Sequence, residues 1–242
     1  MNLEKIKQLF STIDIPNEFG GDYENEDYDW MFEWMEENIL SQLQEFYTLY
    51  HGVSKIVMVP KNGDFVIKIP FNGSYSPIYN DEDPDEIIDH IWHEYIGAPE
   101  DCGWDYCATE LNVYEKAKEL GIECFFAKTE YLCSTKNFYP IYIQEKVKTK
   151  YNVNSKEVTP SNDSLARYRQ NYIKYHNYGI CKDKNWMALC LDQYGEEKVT
   201  IFIDFINNIM PFINCDMHSE NYGFRINKTP CLIDFSDWCE ND

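Results

Sequence analysis

The chain has 242 residues, 44% of them hydrophobic and 16% aromatic, with only eleven glycines and ten prolines; this composition excludes a disordered polymer and supplies enough apolar surface for a real core. Its 42 acidic and 21 basic side chains leave a net charge of −21, a field that disfavours nucleic acid and suits solubility, basic protein partners or metal ions. Residues 1–115 carry 25 acidic and 5 basic side chains, whereas residues 116–242 carry 17 and 16, so the acidity belongs to the front half.

The opening MNLEKIKQLFSTIDIP lacks the apolar run of an export signal, and no stretch reaches the roughly eighteen consecutive apolar residues of a membrane span. The nine cysteines are odd in number and none has C-x-x-C spacing, which argues for reduced thiols over disulfides or zinc. The expectation is a cytoplasmic protein with no membrane partner.

Residues 14–29 are acidic and aromatic, contain Gly20-Gly21 and read as a loop or arm. From Trp30 to about Tyr50, Met31, Trp34, Met35, Ile39, Leu40, Leu43 and Phe46 recur at three- and four-residue steps, which predicts an amphipathic helix packed on a first lobe. Two strands come next, at 54–60 and 64–70, turning through Asn62-Gly63 and placing Lys68 on the second. Loop composition fills 71–84, a short helical pattern spans about 85–96, and a longer helix runs from Tyr106 to Leu120, stopping at Gly121.

Strands are expected at 129–134 and within 138–147, the latter starting after Pro140. Residues 148–213 are mostly helical by pattern. Short strands, YGFRI and PCLIDF, then form a hairpin turning near Asn227-Lys228. The fold class read from this order is α+β, with a first part, 1–50, packed on a sheet-rich lobe, 51–147, and a mainly helical lobe, 148–242.

The chemistry concentrates near the end, in Asp216-Met217-His218-Ser219-Glu220-Asn221 and Leu232-Ile233-Asp234-Phe235. Two carboxylates and an amide, returned to one place by a hairpin, suit the needs of phosphoryl transfer: one group to orient the attacking hydroxyl and oxygen ligands for magnesium. Taken singly, Asp216 and Asn221 also read as turn-capping groups. Asp234 within an apolar run is harder to explain without a partner, because a buried lone carboxylate is costly. Lys68 reads either as a functional lysine or as a solvent-facing residue of an edge strand. His90 and His93 lie near Asp89 and Glu94, but H-E-x-x-H is absent and a solvated face is the simpler reading. P-loop, G-x-S-x-G and dinucleotide motifs are also absent.

The order D-x-H-x-x-N, then I-D-F, is similar to the catalytic and metal-binding loops of kinase-like phosphotransferases, including aminoglycoside and choline kinases and, more distantly, protein kinases. The resemblance implies a two-lobed kinase-like fold with an antiparallel-sheet first lobe, a shortened second lobe, and ATP and magnesium as cofactors. It makes Asp216 the catalytic aspartate, Asn221 and Asp234 the magnesium ligands, and Lys68 in Val66-Ile67-Lys68 the lysine on the α- and β-phosphates. Glu110 resembles the glutamate that orients that lysine, with Glu115 as its rival. Gln144, Glu145 and Val147 resemble the hinge that binds adenine.

The sequence departs from the family at three places. No G-x-G-x-x-G precedes Lys68, only Gly52; Asn214-Cys215 stand where protein kinases carry His-Arg; and Ser236 follows Asp234-Phe235 in place of glycine. The last two features are closer to small-molecule kinases. The expected partners are a nucleotide and a phosphate acceptor or, for a catalytically silent member, a basic protein.

Overall fold

The computed structural model describes residues 3–16, 19, 28–43, 47–52, 55–71, 106–149, 158–172, 183–209 and 221–235. The expected helix at 85–96, most of the acidic arm, and the segment carrying Asn214, Cys215, Asp216 and His218 lie outside them. The fold is α+β, with a five-stranded antiparallel sheet and five α-helices among the described residues. They divide into two compact units: 3–71, 106–111 and 129–146 in the first, 112–128 and the residues from 147 on in the second.

In the first unit, helix α1 spans Leu3–Phe10 and α2 spans Asp29–Asn38. The sheet is built from β1 (Tyr47–His51), β2 (Lys55–Pro60), β3 (Phe65–Pro70), β4 (Thr129–Ser134) and β5 (Pro140–Glu145), in spatial order β1-β2-β3-β5-β4. Strand periodicity explains its core. Ile56 and Met58 of β2, Ile67 and Ile69 of β3 and Ile141 of β5 share one cluster with Ile6, Leu9 and Phe10 of α1 and Met31 and Met35 of α2. Alternation sends the remaining side chains of these strands to the opposite face.

The structure corrects two sequence expectations. The helix expected to run to Tyr50 ends at Asn38, a short 3₁₀ turn comes next at Leu40–Gln42, and Tyr47–His51 is a strand. Tyr47, Thr48 and Tyr50 favour extended backbone, and every residue of β1 pairs with β2, from Tyr47 opposite Pro60 to His51 opposite Ile56. Strand β5 begins at Pro140, opposite Ser134, not after it; a first strand residue can lack an N–H donor without breaking the ladder. Helix α1 is absent from the sequence expectations although Leu3, Ile6, Leu9 and Phe10 lie on one helical face.

Helix α3 (Tyr106–Glu119) joins β3 to β4 in sequence, and Gly121 ends it in a left-handed conformation, φ 70°. In the second unit, β6 (Lys148–Thr149), β7 (Tyr222–Phe224) and β8 (Pro230–Leu232) form a small antiparallel sheet. Helix α4 (Asn162–Arg167) and α5 (Lys184–Ile209), which is broken at Gly195 with φ 82°, complete it. Its core is aromatic: Phe125 stacks on Phe202 with centroids 4.3 Å apart, and Trp186, Phe205 and Phe235 are fully buried around them.

Among the described residues no helix is long and apolar enough to cross a membrane. Cys107, Cys124, Cys133, Cys190 and Cys231 are not disulfide-bonded. Burial pushes the Cys124 and Cys133 thiols above their ordinary pKa, so both stay protonated and poorly nucleophilic.

Candidate functional site

The face of the five-stranded sheet opposite the aliphatic core carries polar side chains, and the register explains why. Lys68 lies opposite Val57 and Tyr142, Lys55 opposite Pro70, and Gln144 opposite both Val66 and Thr129. Residues opposite one another or two apart share a face, so Lys55, Lys68, Gln144 and Thr129 all project to the same side.

They meet Glu110 of α3. The Lys68 ammonium donates to both Glu110 carboxylate oxygens, at 2.8 and 2.6 Å. Lys55 Nζ lies 3.1 Å from Glu110 Oε1. Gln144 Nε2 donates to Glu110 Oε2 at 3.1 Å and to Thr129 Oγ1 at 3.0 Å. Every member of the cluster is at most 3% exposed, and Glu110 is fully buried.

Lys68 is therefore on an interior strand with its charge turned inward, and the solvent-facing alternative does not hold. Glu115, the rival for Lys68, pairs with exposed Lys118 at 3.1 Å. Gln144, expected in the adenine-binding hinge, has its side chain committed to Glu110 and Thr129. Glu145 ends β5 opposite Phe65, and the next residue, Lys146, donates its N–H to the Asp64 carbonyl at 2.8 Å.

In the second unit Val147 precedes β6 and packs on the β7–β8 hairpin. A Cβ on Gly223 would stand 2.5 Å from Val147 Cγ2 and 2.7 Å from the Lys148 carbonyl oxygen, so only glycine permits this approach. The hairpin turns at Lys228, φ 67°, with Lys228 N–H donating to the Arg225 carbonyl at 2.8 Å. Its open end holds the two expected magnesium ligands. Tyr222 pairs with Leu232, and the Ile233 N–H donates to the Asn221 carbonyl at 2.8 Å. Asp234, partly buried, comes next. Phe235 is fully buried against Phe126 at 5.0 Å, which fixes the backbone on the far side of Asp234.

Arg225 holds the hairpin in place. Its guanidinium donates to the carbonyls of Cys124 at 2.9 Å and Phe126 at 2.8 Å, and the Tyr194 hydroxyl donates to the Pro230 carbonyl. Burial pushes the Tyr194 phenol well above its ordinary pKa, so it remains a donor at neutral pH.

A carboxylate and an amide oxygen at one hairpin end are hard donors suited to magnesium. An ammonium oriented by a buried carboxylate is suited to a phosphate. Sequence reasoning missed Lys55, Thr129, Arg225 and the Gln144 side chain. A signal for Lys55 was present: a hairpin centred on Asn62-Gly63 sets Val57 opposite Lys68 and hence Lys55 on the same face. Comparison of the chain with protein-family models, with curated proteins and with solved structures found no significant match.

Proposed function

We propose that the protein is an ATP- and magnesium-dependent phosphotransferase of kinase-like fold, acting on a protein or small-molecule hydroxyl, with the five-stranded unit as its first lobe. The observation that carries this reading is the buried ion pair between Lys68, on the third described strand, and Glu110, on α3, the next described helix, 2.6 Å apart at the closest. Kinases use a lysine of the third strand, held by a glutamate of the next helix, to engage the α- and β-phosphates. The adjacency of Asn221 and Asp234 across the β7–β8 hairpin supports the same reading.

In this reading Glu110 and Gln144 orient the Lys68 ammonium toward the phosphates. Asn221 and Asp234 hold magnesium, which supplies charge neutralisation on the transferring phosphate. Asp216, outside the described residues, orients the acceptor hydroxyl and accepts its proton, a contribution of about 10²- to 10⁴-fold.

The test is transfer of labelled γ-phosphate from ATP to pooled hydroxyl acceptors, comparing the wild type with Asp216→Ala. Transfer that falls by about 10²-fold or more in the variant is expected. Equal transfer by both proteins removes Asp216 from the mechanism. Nucleotide binding without transfer to any acceptor leaves a catalytically silent module whose acidic front half engages a basic protein partner.

A further inference from the structure

We infer that Lys55 is a second phosphate-binding lysine, so that this chain grips a nucleoside triphosphate with two ammonium groups where kinases use a glycine-rich loop. The inference rests on the nucleotide-binding reading and adds to it a residue that neither the motif nor the resemblance indicates. Lys55 is 2% exposed and its Nζ lies 3.1 Å from the same Glu110 oxygen that Lys68 approaches at 2.8 Å. The two ammonium nitrogens therefore stand no further apart than those two distances together. Like charges so close repel strongly in a buried setting. A polyphosphate carries several negative oxygens, enough to accept a charge-assisted hydrogen bond from each ammonium.

The backbone places Lys55 where such a role is needed. It is the first residue of β2, and the Gly52 N–H, just past the end of β1, donates to its carbonyl at 3.0 Å. In sequence, His51-Gly52-Val53-Ser54 comes where kinases carry their phosphate-covering loop, and it supplies one glycine and no G-x-G-x-x-G. A side-chain cation at the start of β2 replaces the backbone N–H groups that a glycine-rich loop offers to phosphates. The Glu110 carboxylate contacts both ammonium groups and so fixes where they point, and Gln144 donates to its Oε2.

The experiment compares magnesium-ATP and adenosine binding by calorimetry in the wild type, Lys55→Met and Lys55→Arg. Lys55→Met is expected to weaken ATP at least about tenfold while leaving adenosine unchanged, and Lys55→Arg to restore most of the ATP affinity. An unchanged ratio of ATP to adenosine affinity in Lys55→Met, whatever its thermal stability, overturns the inference and leaves the nucleotide site itself standing. A wild type that binds neither ligand fails the parent reading, and this inference with it. Should Lys55→Met not fold, an acyl phosphate of ATP, whose acyl group is captured by amines beside the phosphates, decides the question on the wild type. ATP-protected acylation of both Lys55 and Lys68 is expected, and acylation of Lys68 alone overturns the proposal.

Discussion

The Glu110 cluster and the Asn221–Asp234 hairpin end are built in opposite ways. The first draws five side chains from four strands and a helix, separated by up to 89 positions between Lys55 and Gln144, and buries all of them. The second is made by one hairpin of fifteen residues from Asn221 to Phe235, its key side chains only partly buried. A buried ion pair gains little net stability over an apolar pair of the same shape, yet losing one member is expensive. The cluster is thus a costly arrangement, and under the proposed function its value is the oriented charge it holds, so that structure and function cannot be separated there. At the hairpin end they can.

The sharpest contrast comes from Glu110→Ala. It leaves Lys55 and Lys68 buried around a missing carboxylate and should cost about 3–5 kcal/mol, read as a shift in the urea midpoint; a loss below about 1 kcal/mol would erase the distinction between the two regions. On the hairpin, Gly223→Ala drives a methyl into Val147 and the Lys148 carbonyl and should cost about 1–3 kcal/mol by the same measurement. That loss reports on the seating of β6 against β7, and it should leave the Lys68–Glu110 pair intact.

A smaller effect is expected within the second unit, at a carboxylate that is not part of the hairpin. Burial opposes ionisation of Asp192, but hydrogen bonds from the Ser161 N–H and hydroxyl and from the Ser164 hydroxyl outweigh it and hold the carboxyl below its ordinary pKa. A depressed pKa contributes stability that is present at neutral pH and is lost as pH falls through the folded-state value. Asp192→Asn should cost about 1 kcal/mol at pH 7 and should flatten that acid-side decline. An unchanged acid-side slope in the variant would remove Asp192 from the account.

The same contrast explains what was legible in the sequence. Asn221 and Asp234 could be read together because a hairpin is local, and the residue types and turn signals that define it are a few positions apart. Lys68 and Glu110 are 42 positions apart, and only the order of motifs suggested pairing them. Lys55 and the Gln144 side chain required the register of three strands at once, and register is set by tertiary pairing as much as by turn chemistry. Strand β1 was misread because Leu43 and Phe46 continue the helical spacing past the true end of α2 at Asn38, so periodicity and local β preference gave opposite answers for Tyr47–His51.

The central claim is a nucleotide site that uses the hairpin end to hold magnesium. Calorimetric titration with ATP, with and without magnesium, in the wild type and Asp234→Ala tests it most directly. The account predicts binding by the wild type that weakens when magnesium is withheld, and weakens to the same degree in Asp234→Ala even with magnesium present. No binding by the wild type, or binding indifferent to both magnesium and Asp234, would contradict it.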